Sequence, residues 1–98
     1  MAFGGYCVLV PEELIQRAQD GDQQAFQEIA LAYRQRVRGT IGRITGRSEQ
    51  TADISETVFL RLYSSLHQLS AAQPFEPWLH RLTVNAAYDF LRSERRKR

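Results

Sequence analysis

Residues 74–92 read PFEPWLHRLTVNAAYDFLR, and the spacing of their apolar side chains decides what kind of fold the chain can make. Phe75, Leu79, Leu82, Ala86 and Phe90 recur every three or four positions, the period of one buried helical face. Pro74 is well placed to open that helix, because proline's missing N–H is no loss in a first turn. Val84, Tyr88 and Leu91 lie away from the stripe, so the helix is apolar on more than one side. Beside them Arg81, Asn85, Tyr88 and Arg92 follow one another as i, i+4, i+7 and i+11, which aligns them in a ridge.

The same period recurs upstream. Ile54, Val58, Leu62 and Leu66 predict a third helix over about 48–67, although Ser48 and Thr51 make an indifferent start signal. Phe26, Ile29, Ala30, Tyr33, Val37, Ile41 and Ile44 predict a second helix, capped by Asp22 and stopped by Gly46, with its last turns weakened by Gly39 and Gly42. A short first helix is expected over 11–19, with Pro11 at its start, Glu12 and Glu13 in its first turn and Gly21 ending it. Sustained alternation with period two is absent beyond a brief CVLV at 7–10. The expected fold is all-α, a small four-helix bundle with one short and three longer helices. Residues 1–10 read as an N-terminal extension, 11–94 as the helical domain and 95–98 as a basic tail.

Ninety-eight residues suffice for one domain whose modest core needs no disulfides. The single cysteine, Cys7, can form neither an internal disulfide nor a zinc cluster, which fits a reducing compartment. No apolar run is long enough to span a bilayer, and the start MAFGGYCVLV lacks the features of a signal peptide, so the expectation is a cytoplasmic protein without membrane insertion. Net charge is only +2, but it is segregated: residues 34–47 hold five arginines and no acid, whereas residues 1–33 hold one arginine against five acids. Such segregation suits a polyanion on one surface and a basic partner on another.

Three surfaces remain once the core is assigned. At 100° per residue Asp53, Glu56, Thr57 and Leu60 share one side of the third helix, almost opposite its apolar stripe. A solvated face with one stray leucine is the commoner arrangement; the alternative is a docking face for a basic helix, with Leu60 as apolar contact and the acids steering. The ridge Arg81, Asn85, Tyr88, Arg92 suits single-stranded nucleic acid, since guanidinium groups hold phosphates, a ring stacks on a base and an amide bonds a base edge. Packing of Tyr88 on a neighbouring helix is as good an account of the sequence, and Trp78 shares the ambiguity between core and wedge. The third surface is cationic, with Arg34, Arg36, Arg38, Arg43 and Arg47 in the second helix and Arg95, Arg96, Lys97 and Arg98 at the end. An enzyme is the weakest class: His67 and His80 stand outside ligand-like spacing, no Gly-rich phosphate cradle is present, and no cofactor or metal site is expected.

Taken in order, these segments resemble region 2 of bacterial sigma factors of the extracytoplasmic-function (ECF) class, over about residues 12–98. ELIQRAQDGDQQAFQEIALAYRQRV is similar to the family's opening helix, Gly-Asp turn and second helix. ADISETVFLRLYSSL resembles its Asp-Leu-Val-Gln-Glu-Val-Phe helix, and PFEPWLHRLTVNAAYDFLR its Phe-x-x-Trp-Leu-x-x-Ile-Ala-x-Asn-x-x-x-Asp-x-Leu-Arg pattern. The resemblance implies binding to core RNA polymerase, through Asp53, Glu56, Thr57 and Leu60 on the clamp helices of the β′ subunit. It also implies recognition and melting of the promoter −10 element. Trp78, Arg81 and Asn85 would then meet the non-template strand, and Leu69, Ser70, Ala71 and Ala72 would belong to a loop that pockets a flipped base.

Two segments depart from the family pattern. Glu56-Thr57 stands where Gln-Glu is usual and Ser55 replaces a valine, while Leu69-Ser70-Ala71 stands where Phe-Arg-Gly is common. The helix-turn-helix domain that reads the −35 element has no counterpart in these residues, as expected of an excised domain or of a protein that lost half of its promoter reader. A second reading, from a different class, is a protein-interaction module bound mainly by an anti-sigma protein or by a copy of itself.

Overall fold

Gly21 sits at a φ of +100°, a conformation that costs a side chain dearly, and it lets the chain reverse directly from one helix into the next. Asp22 then caps the helix that follows: its Oδ1 accepts from the backbone N–H of Gln24 at 3.1 Å and of Ala25 at 3.2 Å. Its Oδ2 accepts from Arg17 Nε at 3.1 Å and Nη2 at 2.9 Å, so a side chain of the first helix braces the cap of the second. The Arg17 hydrogen bond, followed by the cap bond from Ala25, holds the Asp22 carboxyl below its ordinary value.

The computed structural model describes residues 10–46, 48–70 and 74–97. They form α1 (Glu12–Gln19), α2 (Gln23–Thr45), α3 (Ser48–Ser65), a single 3-10 turn (Leu66–Gln68) and α4 (Phe75–Arg96). The all-α four-helix expectation is met, with one short helix and three long ones. Gly46 ends α2 in the left-handed conformation, φ +64°, and its N–H returns to the Gly42 carbonyl at 2.8 Å. The expected weakening at Gly39 and Gly42 does not interrupt α2, because Val37, Thr40 and Ile41 remain buried through those turns. The third helix stops two residues earlier than the periodicity predicts, its last turn tightening into the 3-10 form.

α2, α3 and α4 pack on their neighbours along most of the predicted stripes, although Ala30 and Ile44 of the α2 stripe stay outside the core and Ala25 joins it. Ile29, Tyr33, Val37 and Ile41 of α2, Ile54, Val58 and Leu62 of α3 and Phe75, Leu79 and Ala86 of α4 make one core, joined by Leu14 of α1 and by Leu66. Phe26, Leu82 and Phe90 lie half-buried at its margin. Thr83 is buried too, and its hydroxyl donates to the Leu79 carbonyl at 2.8 Å, so the polar atom is satisfied within its own helix. Cys7 and nearly all of the N-terminal extension lie outside the described residues, as do Arg47 and Arg98. Among the described residues no helix is long and apolar enough to cross a membrane.

Candidate functional site

A helix packed along one stripe necessarily turns its opposite side outward, and on α3 that side is the predicted acidic face. Asp53 and Glu56 are exposed and Leu60 is 64% exposed between them. Thr57 is only half-exposed, and its hydroxyl donates to the Asp53 carbonyl at 3.3 Å. Ser55, 3% exposed, belongs to the bundle side, so its departure from the family pattern does not alter this face. Next to it a shallow groove of about 360 Å³ runs between α2 and α3, lined by Gln23, Phe26, Gln27, Glu56, Phe59, Leu60 and Tyr63. Phe26 and Tyr63 meet edge to face at 5.1 Å and leave Tyr63 54% exposed. The sequence reading missed this aromatic wall, although Tyr63 stands three residues after Leu60 and four after Phe59, at helical spacing from both.

On α4 the ridge stands clear of the bundle. Arg81 and Asn85 are exposed and, among the described residues, have no ion-pair or hydrogen-bond partner. Tyr88 is 50% exposed rather than packed on another helix. Arg92 is exposed as well, but its guanidinium is bound to Asp89, whose second oxygen accepts from Arg61 Nη1 at 3.0 Å. Asp89 therefore ties α3 to α4 and neutralises part of the charge that the ridge offers. Trp78 is half-buried, its ring 6.0 Å from that of Phe75, so it is anchored in the margin of the core next to the ridge.

The approach to α4 is less as expected. Leu69 is not a loop side chain free to meet a base: it is 8% exposed and part of the core, because the chain must close the bundle before α4 begins. The Gln19 amide pins this segment, donating to the carbonyls of Leu66 at 3.1 Å and Leu69 at 3.0 Å. Ser70 is exposed, and Ala71 and Ala72 lie outside the described residues. Across α4's first turn Glu76 is buried, its carboxylate taking the Tyr33 hydroxyl at 2.6 Å and Arg36 Nη1 at 2.8 Å.

Four of the five arginines expected on the second helix lie in α2, and they do not make one surface. Arg34 and Arg38 share one side of α2, while Arg36 and Arg43 are turned well away from it, which follows from the 100° step of the helix. Arg36 is committed to Glu76, and Arg43 Nη2 reaches the Thr40 hydroxyl at 3.4 Å. Arg95, Arg96 and Lys97 are exposed at the end of α4, where cations oppose the helix dipole favourably. His67 and His80 are both exposed, and no cluster of three or more His, Cys, Asp or Glu able to hold a metal ion exists among the described residues.

A family model described as Sigma-70 region 2 matches residues 29–97. The chain is 29% identical over 80 residues to the RNA polymerase sigma-H factor of Pseudomonas aeruginosa, covering 82% of this chain and 42% of that protein. It is also 29% identical over 89 residues to the ECF RNA polymerase sigma-E factor of Haemophilus influenzae, covering 91% of this chain and 47% of that protein. The chain thus spans about half the length of the curated relatives it matches. Among solved structures, an engineered region 2 of sigmaE in complex with GTAAAA superposes with a TM-score of 0.81 at 28% identity, covering 90% of this chain and 97% of that one.

Proposed function

Since the chain belongs to the sigma-70 region 2 family, we propose that it binds core RNA polymerase and recognises and opens the promoter −10 element during transcription initiation. The row of exposed side chains on α4 carries this assignment. Arg81, Asn85 and Tyr88 stand side by side on the face turned from the core, offering a cation, an amide and a ring to one strand. Arg81 would neutralise a phosphate, Asn85 would bond a base edge and Tyr88 would stack. Trp78, braced against Phe75, would stand at the edge of the melted region, and Ser70, with Ala71 and Ala72, would border the extruded base. Unstacking a base costs a few kcal/mol, which these contacts must return.

Polymerase would dock on α3. Asp53 and Glu56 would steer a basic helix of the β′ clamp, and Leu60 would enter its contact, with Thr57 at the margin. Such a protein would work in the cytoplasm and would catalyse nothing itself. The aromatic groove beside Leu60 favours a second reading, a protein-interaction module whose main partner is an anti-sigma protein.

One experiment separates the two readings. The purified chain is mixed with a GTAAAA single strand and, separately, with the β′ clamp helices. Binding of both is expected, and binding of neither removes the sigma-type mechanism.

A further inference from the structure

On the side of α4 away from the ridge, the bundle buries a charge. Glu76 is 9% exposed, and its two oxygens hold groups from two successive turns of α2, the Tyr33 hydroxyl at 2.6 Å and Arg36 Nη1 at 2.8 Å. Tyr33 is wholly buried, its ring 5.4 Å from that of Phe75 and 5.6 Å from the Arg36 guanidinium carbon. An ion pair in such a place seldom adds stability over apolar side chains of equal volume, because desolvation offsets the attraction. What it adds is direction. Two short hydrogen bonds to one carboxylate fix the height of α4 along α2 and its rotation about its own axis, which the apolar contacts of Leu79 and Ala86 define less sharply.

Rotation is the variable to which the ridge is sensitive. Side-chain atoms lie about 5–6 Å from a helix axis, so a turn of about 20° at the anchor carries them about 2 Å sideways. A hydrogen bond tolerates about 0.5 Å. An error of that size would separate Asn85 from a base edge while leaving the helix and most of the core intact.

We propose that Tyr33, Arg36 and Glu76 are positioning residues for strand recognition: from the buried side of α4 they set its rotation and so the places of Arg81 and Asn85. The inference rests on the nucleic-acid role proposed above for those two side chains. None of the three needs to touch the strand.

Glu76→Gln keeps the side-chain volume and an acceptor for Tyr33 but removes the charge that holds Arg36. Two readouts are taken well below the melting temperature. In the ligand-free protein, the NMR resonances of Trp78, Arg81 and Asn85 are expected to shift while helical circular dichroism is unchanged. In fluorescence anisotropy with a GTAAAA single strand, binding is expected to weaken on the order of fivefold to tenfold. A purely structural role would lower the melting temperature and leave the ridge resonances and the affinity of the folded protein where they were, and that result overturns the proposal. If Glu76→Gln does not fold, Arg36→Met, which keeps the Tyr33–Glu76 bond, is read by the same two measurements with the same consequences. If the wild-type chain does not bind the strand, the nucleic-acid role falls. The positioning of α4 is then decided by the ligand-free spectra, where shifted ridge resonances support it and unshifted ones overturn it.

Discussion

Arg81, Asn85 and Arg92 share one ridge but should fail in three different ways when truncated, and the differences follow from their surroundings. Arg81 has no partner in the bundle among the described residues, so Arg81→Ala removes a full cation from the strand's reach. For single strands each phosphate contact contributes about 0.7 to the slope of log affinity against log salt, so the slope should drop by about that amount. Arg92 is already bound to Asp89, itself shared with Arg61, so Arg92→Ala should change the slope by less. Asn85 carries no charge. Asn85→Ala should leave the slope unchanged and cost about 1–3 kcal/mol of base discrimination, tenfold for each 1.4 kcal/mol. Anisotropy titrations of labelled GTAAAA and of a scrambled strand across a salt series measure all three. One common slope and affinity for the wild type and the variants would refute the reasoning, and so would an Asn85→Ala defect that grows or shrinks with salt.

Other consequences can be checked independently. Leu60→Arg should abolish pull-down of the β′ clamp helices yet change stability by no more than about 0.5 kcal/mol, because the side chain is 64% exposed; a large fall in urea midpoint would mean that Leu60 supports the core. Leu62→Ala, two positions along and fully buried, should by contrast cost about 2–5 kcal/mol in urea unfolding. The lowered pKa of Asp22 means that its carboxylate stabilises the fold fully above the ordinary aspartate value of 3.8 and loses that contribution as pH falls through the lower folded value. The melting temperature of Asp22→Ala should therefore lie below that of the wild type at neutral pH and converge on it in acid. A gap that persists at low pH would assign the effect to something other than the charge.

Much of the fold was legible because its signals are local. Asp22, Gly46 and the stripes of α2, α3 and α4 each declare themselves within one or two turns of chain, and the structure uses them as read except for Ala30 and Ile44, which it leaves off the core. The outward position of Leu60 followed from the helix period alone. What escaped the sequence is pairing between helices. Nothing near Glu76 in the sequence marks it as buried, because Tyr33 and Arg36 are brought to it from 43 and 40 residues away. Arg36 looks like part of a basic patch for the same reason. Leu69 stands in a segment with no period of its own, so nothing before the fold showed that the core would claim it. Asp89 likewise carries no sign of its partners in the sequence, yet it links two helices and restrains a ridge arginine.

These long-range pairs have a common consequence for how two surfaces coexist on so small a body. The acidic face lies on α3 and the cationic ridge on α4, and the apolar core defines the rotation of these helices less sharply than directional hydrogen bonds do. Two polar ties sharpen it. Arg61 to Asp89 joins α3 to α4 at 3.0 Å, and Glu76 joins α4 to α2 at 2.6 and 2.8 Å. Arg61 and Asp89 remain partly exposed, so their pair alone contributes little to stability. Its effect is better sought in the relation between the surfaces. If the two ties hold both faces in one frame, loosening Asp89 should change strand binding measured with polymerase bound more than strand binding by the chain alone, because only the former requires both faces to be in register. Equal effects in the two assays would mean that each face works independently of the other's orientation.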